Sequence, residues 1–134
     1  MADTFKFELV SPERVLLSEN AEQVVLPGSD GDFAVLPNHA PMIATLRPGV
    51  LDVRLPSGPR RIFVKGGFAE VEPDRLTVLA EKAFDADASS AASVIASELA
   101  TAEAELTAAK DDSARFIAQA AVDRLRALQG APRA

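Results

Sequence analysis

The sequence has no cysteine, no tryptophan, no tyrosine and only one histidine in 134 residues. Without cysteine there is no disulfide framework, no thiol nucleophile and no cysteine zinc site. A single histidine excludes the paired-histidine zinc motifs such as HExxH. Basic residues are in the minority: 14 Lys and Arg stand against 20 Asp and Glu, a formal net charge of -6. That balance works against general affinity for DNA or an anionic membrane, where Lys and Arg must meet phosphates. Long apolar runs are missing as well. The longest charge-free stretch, residues 33–46, is 14 residues long and contains Asn38, His39 and two prolines, whereas a membrane-spanning helix needs about 20 apolar residues. Asp3, Lys6 and Glu8 fall within the first ten residues, which interrupts any signal-peptide apolar core. A soluble product made in the cytoplasm is expected, one that reaches a membrane only through a partner.

The length corresponds to one domain of ordinary size, or one with a short appendage. Composition divides the chain near Phe84. Eight of the nine prolines and six of the seven glycines lie at or before that residue, with Pro132 and Gly130 the exceptions. Beyond it, 17 of 50 residues are alanine. Charge does not distinguish the halves: residues 1–84 hold 9 basic and 12 acidic groups and residues 85–134 hold 5 and 8, so each nets -3. The boundary is one of backbone preference.

The first half reads as short strands punctuated by turns. Phe5, Phe7 and Leu9 alternate with Lys6, Glu8 and Val10, the period of a half-buried strand. Further strands are expected over residues 15–18, 22–26, 33–36, 42–46, 50–55, 62–65, 68–71 and 76–80. Between them lie Pro27-Gly28, Ser29-Asp30-Gly31, Arg47-Pro48-Gly49 and the hairpin turn Pro56-Ser57-Gly58-Pro59. Glu72-Pro73-Asp74-Arg75 places proline where a type I turn wants it. Eight or more short strands at this spacing predict a sandwich or flattened barrel.

The second half reads as amphipathic helix. Ile95, Leu99, Ala102, Leu106 and Ala109 form one stripe and Ile117, Ala121, Leu125 and Leu128 a second, with Phe116 beside it. Asp87, Ser89 or Ser90 is positioned to cap the first helix, and Lys110-Asp111-Asp112-Ser113 offers a break and a cap for the next. A helical hairpin is favoured over one long helix, although neither Gly nor Pro forces the turn. Both stripes are rich in alanine, so the pair buries little area, and the arm is expected to detach readily.

Candidate chemistry is sparse. Val64-Lys65-Gly66-Gly67 has the glycine and lysine of a P-loop in the wrong order, and reads instead as glycines that let two strands fold back closely. Asp30-Gly31-Asp32 is a fragment of a calcium loop without its distal glutamate, hence a surface turn with two carboxylates. His39, held between Pro37 and Pro41, reads as a surface or partner-facing residue, not a base. The phenylalanines mostly occupy alternating strand positions where core packing is the default, not base stacking. Arg60-Arg61 flanks a turn as a solubilising edge. A rigid sheet carrying a soft helical arm suits a binding or mechanical part.

Several segments together are specific. Leu9-Val10-Ser11-Pro12-Glu13-Arg14 resembles the opening of the epsilon subunit of bacterial F-type, proton-translocating ATP synthases. So do residues 26–41, from the Pro27-Gly28-Ser29-Asp30-Gly31 turn through Asn38-His39-Ala40-Pro41, and Arg47-Pro48-Gly49. Gly66-Gly67-Phe68-Ala69-Glu70-Val71 and Leu76-Thr77-Val78-Leu79-Ala80-Glu81 resemble its later strands. The likeness covers nearly all of residues 5–82, and the helical arm agrees in layout more than in sequence.

The resemblance implies an α+β fold: a β-sandwich of about ten strands over residues 1–84, then an antiparallel two-helix hairpin over residues 85–134. It implies a non-catalytic place in the central rotor, between the gamma subunit and the membrane c-ring, coupling the two during proton-driven ATP synthesis. The corresponding turn and the neighbouring Asn38-His39 segment lie toward the ring in that family. Asp30, Gly31, Asp32, Asn38 and His39 are therefore expected to be contact residues for the c-ring or gamma. The arm of such subunits also extends along gamma toward the catalytic subunits and hinders hydrolysis; here it offers Lys110, Arg115, Arg124, Arg126 and Arg133 for acidic surfaces. Some members bind ATP through an Ile/Leu-Asp-x-x-Arg-Ala motif near the first helix. The region here reads Ala88-Ser89-Ser90-Ala91-Ala92-Ser93, without the Asp or the Arg, so no cofactor is carried over. A rival reading from the residues alone is a free-standing ligand-binding sandwich with a helical oligomerisation tail.

Overall fold

A computed structural model describes residues 3–130. Ten strands precede two helices: β1 (Phe5–Ser11), β2 (Arg14–Ala21), β3 (Gln23–Gly28), β4 (Gly31–Val35), β5 (Met42–Leu46), β6 (Gly49–Leu55), β7 (Gly58–Val64), β8 (Gly67–Glu72), β9 (Arg75–Ala80), β10 (Ala83–Asp85), α1 (Ala91–Ala108) and α2 (Asp112–Gly130). The strands join in the order β10-β7-β6-β3-β5-β8-β9-β1-β2, with β4 paired to β3 beside that path. Pairing is antiparallel throughout except for β1 on β9, which is parallel.

Alternation sets the core. Phe5, Phe7 and Leu9 of β1 point inward, as the period of that segment predicts, and meet Leu51, Val53 and Leu55 of β6, Ile62 and Val64 of β7, and Leu76 and Val78 of β9. Residues from both halves of the strand order share this cluster, so the sheet folds face to face around one apolar layer. The predicted turns close where proline and glycine place them: Leu55 pairs with Gly58, and Glu72 with Arg75. Gly66 and Gly67 both take positive φ, and a Cβ on Gly67 would lie 1.9 Å from the Leu79 carbonyl oxygen. The close approach inferred from Val64-Lys65-Gly66-Gly67 is therefore real. One strand escaped the sequence reading. Three-residue β10 is too short to show a period, and it pairs with β7 across the stretch where the composition changes.

The helices form an antiparallel hairpin whose stripes face a second cluster. Val50, Phe63 and Phe84 make one row across the outer face of β6, β7 and β10, with the Phe63 and Phe84 rings stacked at 5.2 Å between centroids. Ala91, Ile95, Leu99 and Ala102 of α1 and Ala121, Val122, Leu125 and Leu128 of α2 cover it. The stripes differ from expectation at their ends. Ala109 caps α1 in extended conformation, outside the helix. The buried face of α2 begins at Ala118, and Ile117 and Phe116 turn to solvent. Ser90 occupies the N-cap of α1 but makes no side-chain capping bond. Asp111 does cap α2, its Oδ1 accepting the Ala114 N–H at 2.7 Å.

Lys65–Glu105 (3.1 Å) and Lys82–Glu98 (3.3 Å) tie α1 to the strand ends. The junction itself is held by Arg60 on Asp85 (3.1 Å) and by Arg61 on Asp87 (2.7 Å). Arg60-Arg61 is thus no free solubilising edge; both guanidiniums are engaged at the start of the arm. The hydrogen bond to Asp87 raises the Arg61 pKa above its already high ordinary value, with burial opposing and the charges of Asp87, Asp52 and Asp85 assisting.

Two outcomes follow. Gly67→Ala combines strain at positive φ with backbone overlap, and should lower stability by about 3 kcal/mol or more in urea unfolding. Far-ultraviolet dichroism is the readout, because the chain has neither Trp nor Tyr. Reversing both ties with Glu98→Lys and Glu105→Lys should speed amide exchange in α1 by about tenfold, since exposed pairs contribute up to about 1 kcal/mol each. Exchange at Leu76 and Leu51 in the sheet core should stay unchanged.

Candidate partner-binding surface

The five residues expected to meet a partner do not form one patch. Asp30 and Gly31 form the tip of the β3–β4 hairpin, where Gly28 pairs with Gly31 and Pro27 with Asp32. Asn38 and His39 follow β4 at its other end. Five residues of strand separate the two places by on the order of 15 Å. Asn38 sits at φ 69, a left-handed conformation that asparagine tolerates, and its N–H donates to the Pro73 carbonyl at 2.7 Å. That bond fastens the segment to the β8–β9 turn. His39 donates from Nδ1 to the Ala40 carbonyl at 2.7 Å, which engages the ring with backbone.

The two carboxylates of the turn also differ. Asp32 accepts a hydrogen bond from Arg47 at 2.6 Å, so its charge is answered within the molecule. Asp30 is exposed and forms no ion pair or hydrogen bond among the described residues. Arg47 and Asp32 line an open crevice of about 470 Å³ whose far wall is α2, through Phe116, Gln119, Asp123 and Arg124. No group of three His, Cys, Asp or Glu among the described residues is placed to hold a metal ion. None of the described helices is long and apolar enough to cross a membrane. Arg133, counted among the basic residues of the arm, lies outside the described residues.

A second candidate surface is apolar, and residue type alone does not show it. On the outer face of β5, β8, β9, β1 and β2, register aligns Thr45, Phe68, Leu79, Val10 and Val15 in one row. Ile43 stands diagonally beside Phe68, opposite Glu70. Exposure along this band is high: Ile43 71%, Val15 56%, Phe68 45% and Leu79 39%. The next row, Glu70, Thr77, Glu8 and Ser18, is polar, as an outward face in water should be. An apolar band rimmed by polar residues marks an interaction surface. A signal existed in the sequence. Leu79 is out of phase with Leu76, Val78 and Ala80, and Phe68 with Ala69 and Val71, so each had to face away from the core.

Comparison with known proteins gives this geometry a family. The profile described as ATP synthase, Delta/Epsilon chain, beta-sandwich domain matches residues 4–86. The ATP synthase epsilon chain of Rhodospirillum rubrum is 60% identical over 86 residues, which span 63% of this chain and 64% of that one. The ATP synthase epsilon chain of Maricaulis maris is 47% identical over 129 residues, 96% of each. Among solved structures, a chain in the Euglena gracilis mitochondrial ATP synthase, described as OSCP/F1/c-ring in rotational state 1, superposes with a TM-score of 0.69 at 21% identity. The match covers 94% of this chain and 79% of that one. A chain in the central stalk/c-ring of the Tetrahymena thermophila mitochondrial ATP synthase gives 0.65 at 13% identity, over 95% and 97%. These two likenesses concern the fold. With more than half of its length matched by the family profile and a relative of 47% identity along nearly all of it, the chain belongs to the ATP synthase epsilon chain family.

Proposed function

We propose that this chain is a non-catalytic rotor subunit of a bacterial F-type ATP synthase, coupling the gamma subunit to the c-ring during proton-driven ATP synthesis. The observation that carries this reading is the uncovered band of Ile43, Phe68, Leu79, Val10 and Val15. Two apolar rows lie on the outside of the sheet. The chain's own helices cover Val50, Phe63 and Phe84; gamma covers the other. Membership of the epsilon chain family and the central-stalk fold relatives support the same placement. The complex holds the subunit at the cytoplasmic face of the inner membrane, as a peripheral component.

Residues 1–84 act in this reading as the binding unit and residues 85–134 as a regulatory arm. The Asp30-Gly31-Asp32 turn faces the ring. Asn38 and His39, at the other end of β4, lead into β5 and contact gamma beside Ile43. The arm brakes hydrolysis only weakly, because it has few basic groups for an acidic surface and its apolar stripe is packed on the sheet. Torque transfer needs broad, stiff contact and no reactive group. The rival reading of an oligomerisation tail requires free helical stripes, and most of both stripes is packed on the sheet and on each other, with Ile117 and Phe116 left exposed.

Phe68→Asp places a charge in the centre of the band at a position already exposed, so the fold should survive. Co-elution with purified gamma should weaken at least about thirtyfold, the scale of a central interface residue. Undiminished binding by a folded Phe68→Asp chain would remove this face from the interface.

A further inference from the structure

The partner-facing turn is held by a residue from elsewhere in the chain. Arg47, in the β5–β6 connection, donates from Nη1 to the Gly28 carbonyl at 2.5 Å and from Nη2 to Asp32 Oδ1 at 2.6 Å. Its own N–H donates to the Pro27 carbonyl, and the Ser29 N–H donates to the Thr45 carbonyl, both at 2.9 Å. The hairpin tip and the β5–β6 loop are thus bonded as one unit on both sides. Close packing adds to this: a Cβ on Gly28 would stand 2.6 Å from the Gly31 carbonyl oxygen. The planar guanidinium reaches two acceptors in different directions at once, which a lysine ammonium on a flexible stem does poorly. Both acceptors belong to the β3–β4 hairpin, so the bonds do not depend on whether the arm is docked.

We propose that Arg47 is a positioning residue that clamps the β3–β4 turn and neutralises Asp32, so that Asp30 alone presents charge to a basic surface on the ring. The proposal rests on the rotor reading for its partner, and on geometry for the clamp. Two carboxylates one residue apart at a flexible tip would repel and scatter. With Asp32 anchored, the tip carries one directed charge on a fixed backbone, and docking orders fewer groups.

The test uses the full chain with Arg47→Gln, Arg47→Lys, Asp32→Asn and Asp30→Asn. Hydrogen exchange at the Ser29 amide reads the clamp, with the Leu76 amide as the reference for the whole fold. Arg47→Gln should speed Ser29 exchange by about tenfold, the scale of losing charge-assisted hydrogen bonds, and leave Leu76 unchanged. Arg47→Lys should not restore it. Asp32→Asn should produce a smaller acceleration, because the bond to Gly28 persists. Asp30→Asn should leave exchange unaltered, yet weaken binding to a purified gamma–c-ring rotor and flatten its salt dependence. Unchanged Ser29 exchange in Arg47→Gln, equal acceleration at Leu76, or full rescue by lysine would overturn the clamp. So would an Asp32→Asn chain that loses as much rotor affinity as Asp30→Asn with Ser29 undisturbed. Failure of the unaltered chain to bind the rotor would defeat the rotor reading, while the exchange comparison would still decide the role of Arg47.

Discussion

A strand has two faces, and in this sheet both faces of several strands are apolar. The inner faces meet each other and make one core, which accounts for Phe5, Phe7, Leu9, Leu51 and Leu76. The outer faces then carry two further apolar rows, one on β6, β7 and β10 and the other on β5, β8, β9, β1 and β2. Neither row gains from water, and an antiparallel sheet ordinarily answers this with polar residues. Here the first row is roofed by the helical hairpin and the second is left bare. The alanine-rich arm is therefore a cover fitted to one face, and the bare face is the surface on which the proposed gamma contact rests.

Much of this was legible in the residues because strand alternation is strict. Phe5, Phe7 and Leu9 announced the core, Pro56-Ser57-Gly58-Pro59 announced a hairpin, and Gly67 stands where a close approach forbids a side chain. The bare face was harder to see because Phe68 and Leu79 look like core residues by type. Only their phase relative to Val71 and Val78 places them outside, and phase is settled by pairing register across five strands. Ile117 shows the helical version of the same difficulty: one step of helix rotation moves the buried face from Ile117 to Ala118. β10 was invisible because three residues show no period.

The candidate turn was legible as a turn and not as a device. Asp30 and Asp32 read as equal carboxylates, two positions apart. What separates them is Arg47, 15 residues beyond Asp32, and no local pattern links that arginine to the turn. The separation of Asn38-His39 from Asp30 has a similar origin. The two segments are close in sequence, but an intervening strand carries the chain from one end of the sheet to the other. Nearness in sequence gives nearness in space in a turn, and the opposite across a strand.

The kinds of interaction are also sorted by place, and this bears on how a rotor subunit would work. Among the described residues no polar or charged side chain is buried, so the core is held by apolar contact, which neither salt nor proton uptake weakens directly. The ties at its margins are different. Lys65–Glu105, Lys82–Glu98 and Arg47–Asp32 each have at least one partner open to solvent, and such pairs are screened by salt and contribute modestly. A body that must transmit torque needs the first kind of cohesion throughout its bulk. The margins, where the arm meets the strand ends and the β3–β4 turn meets the β5–β6 loop, carry the second kind, which fixes placement more than it adds cohesion.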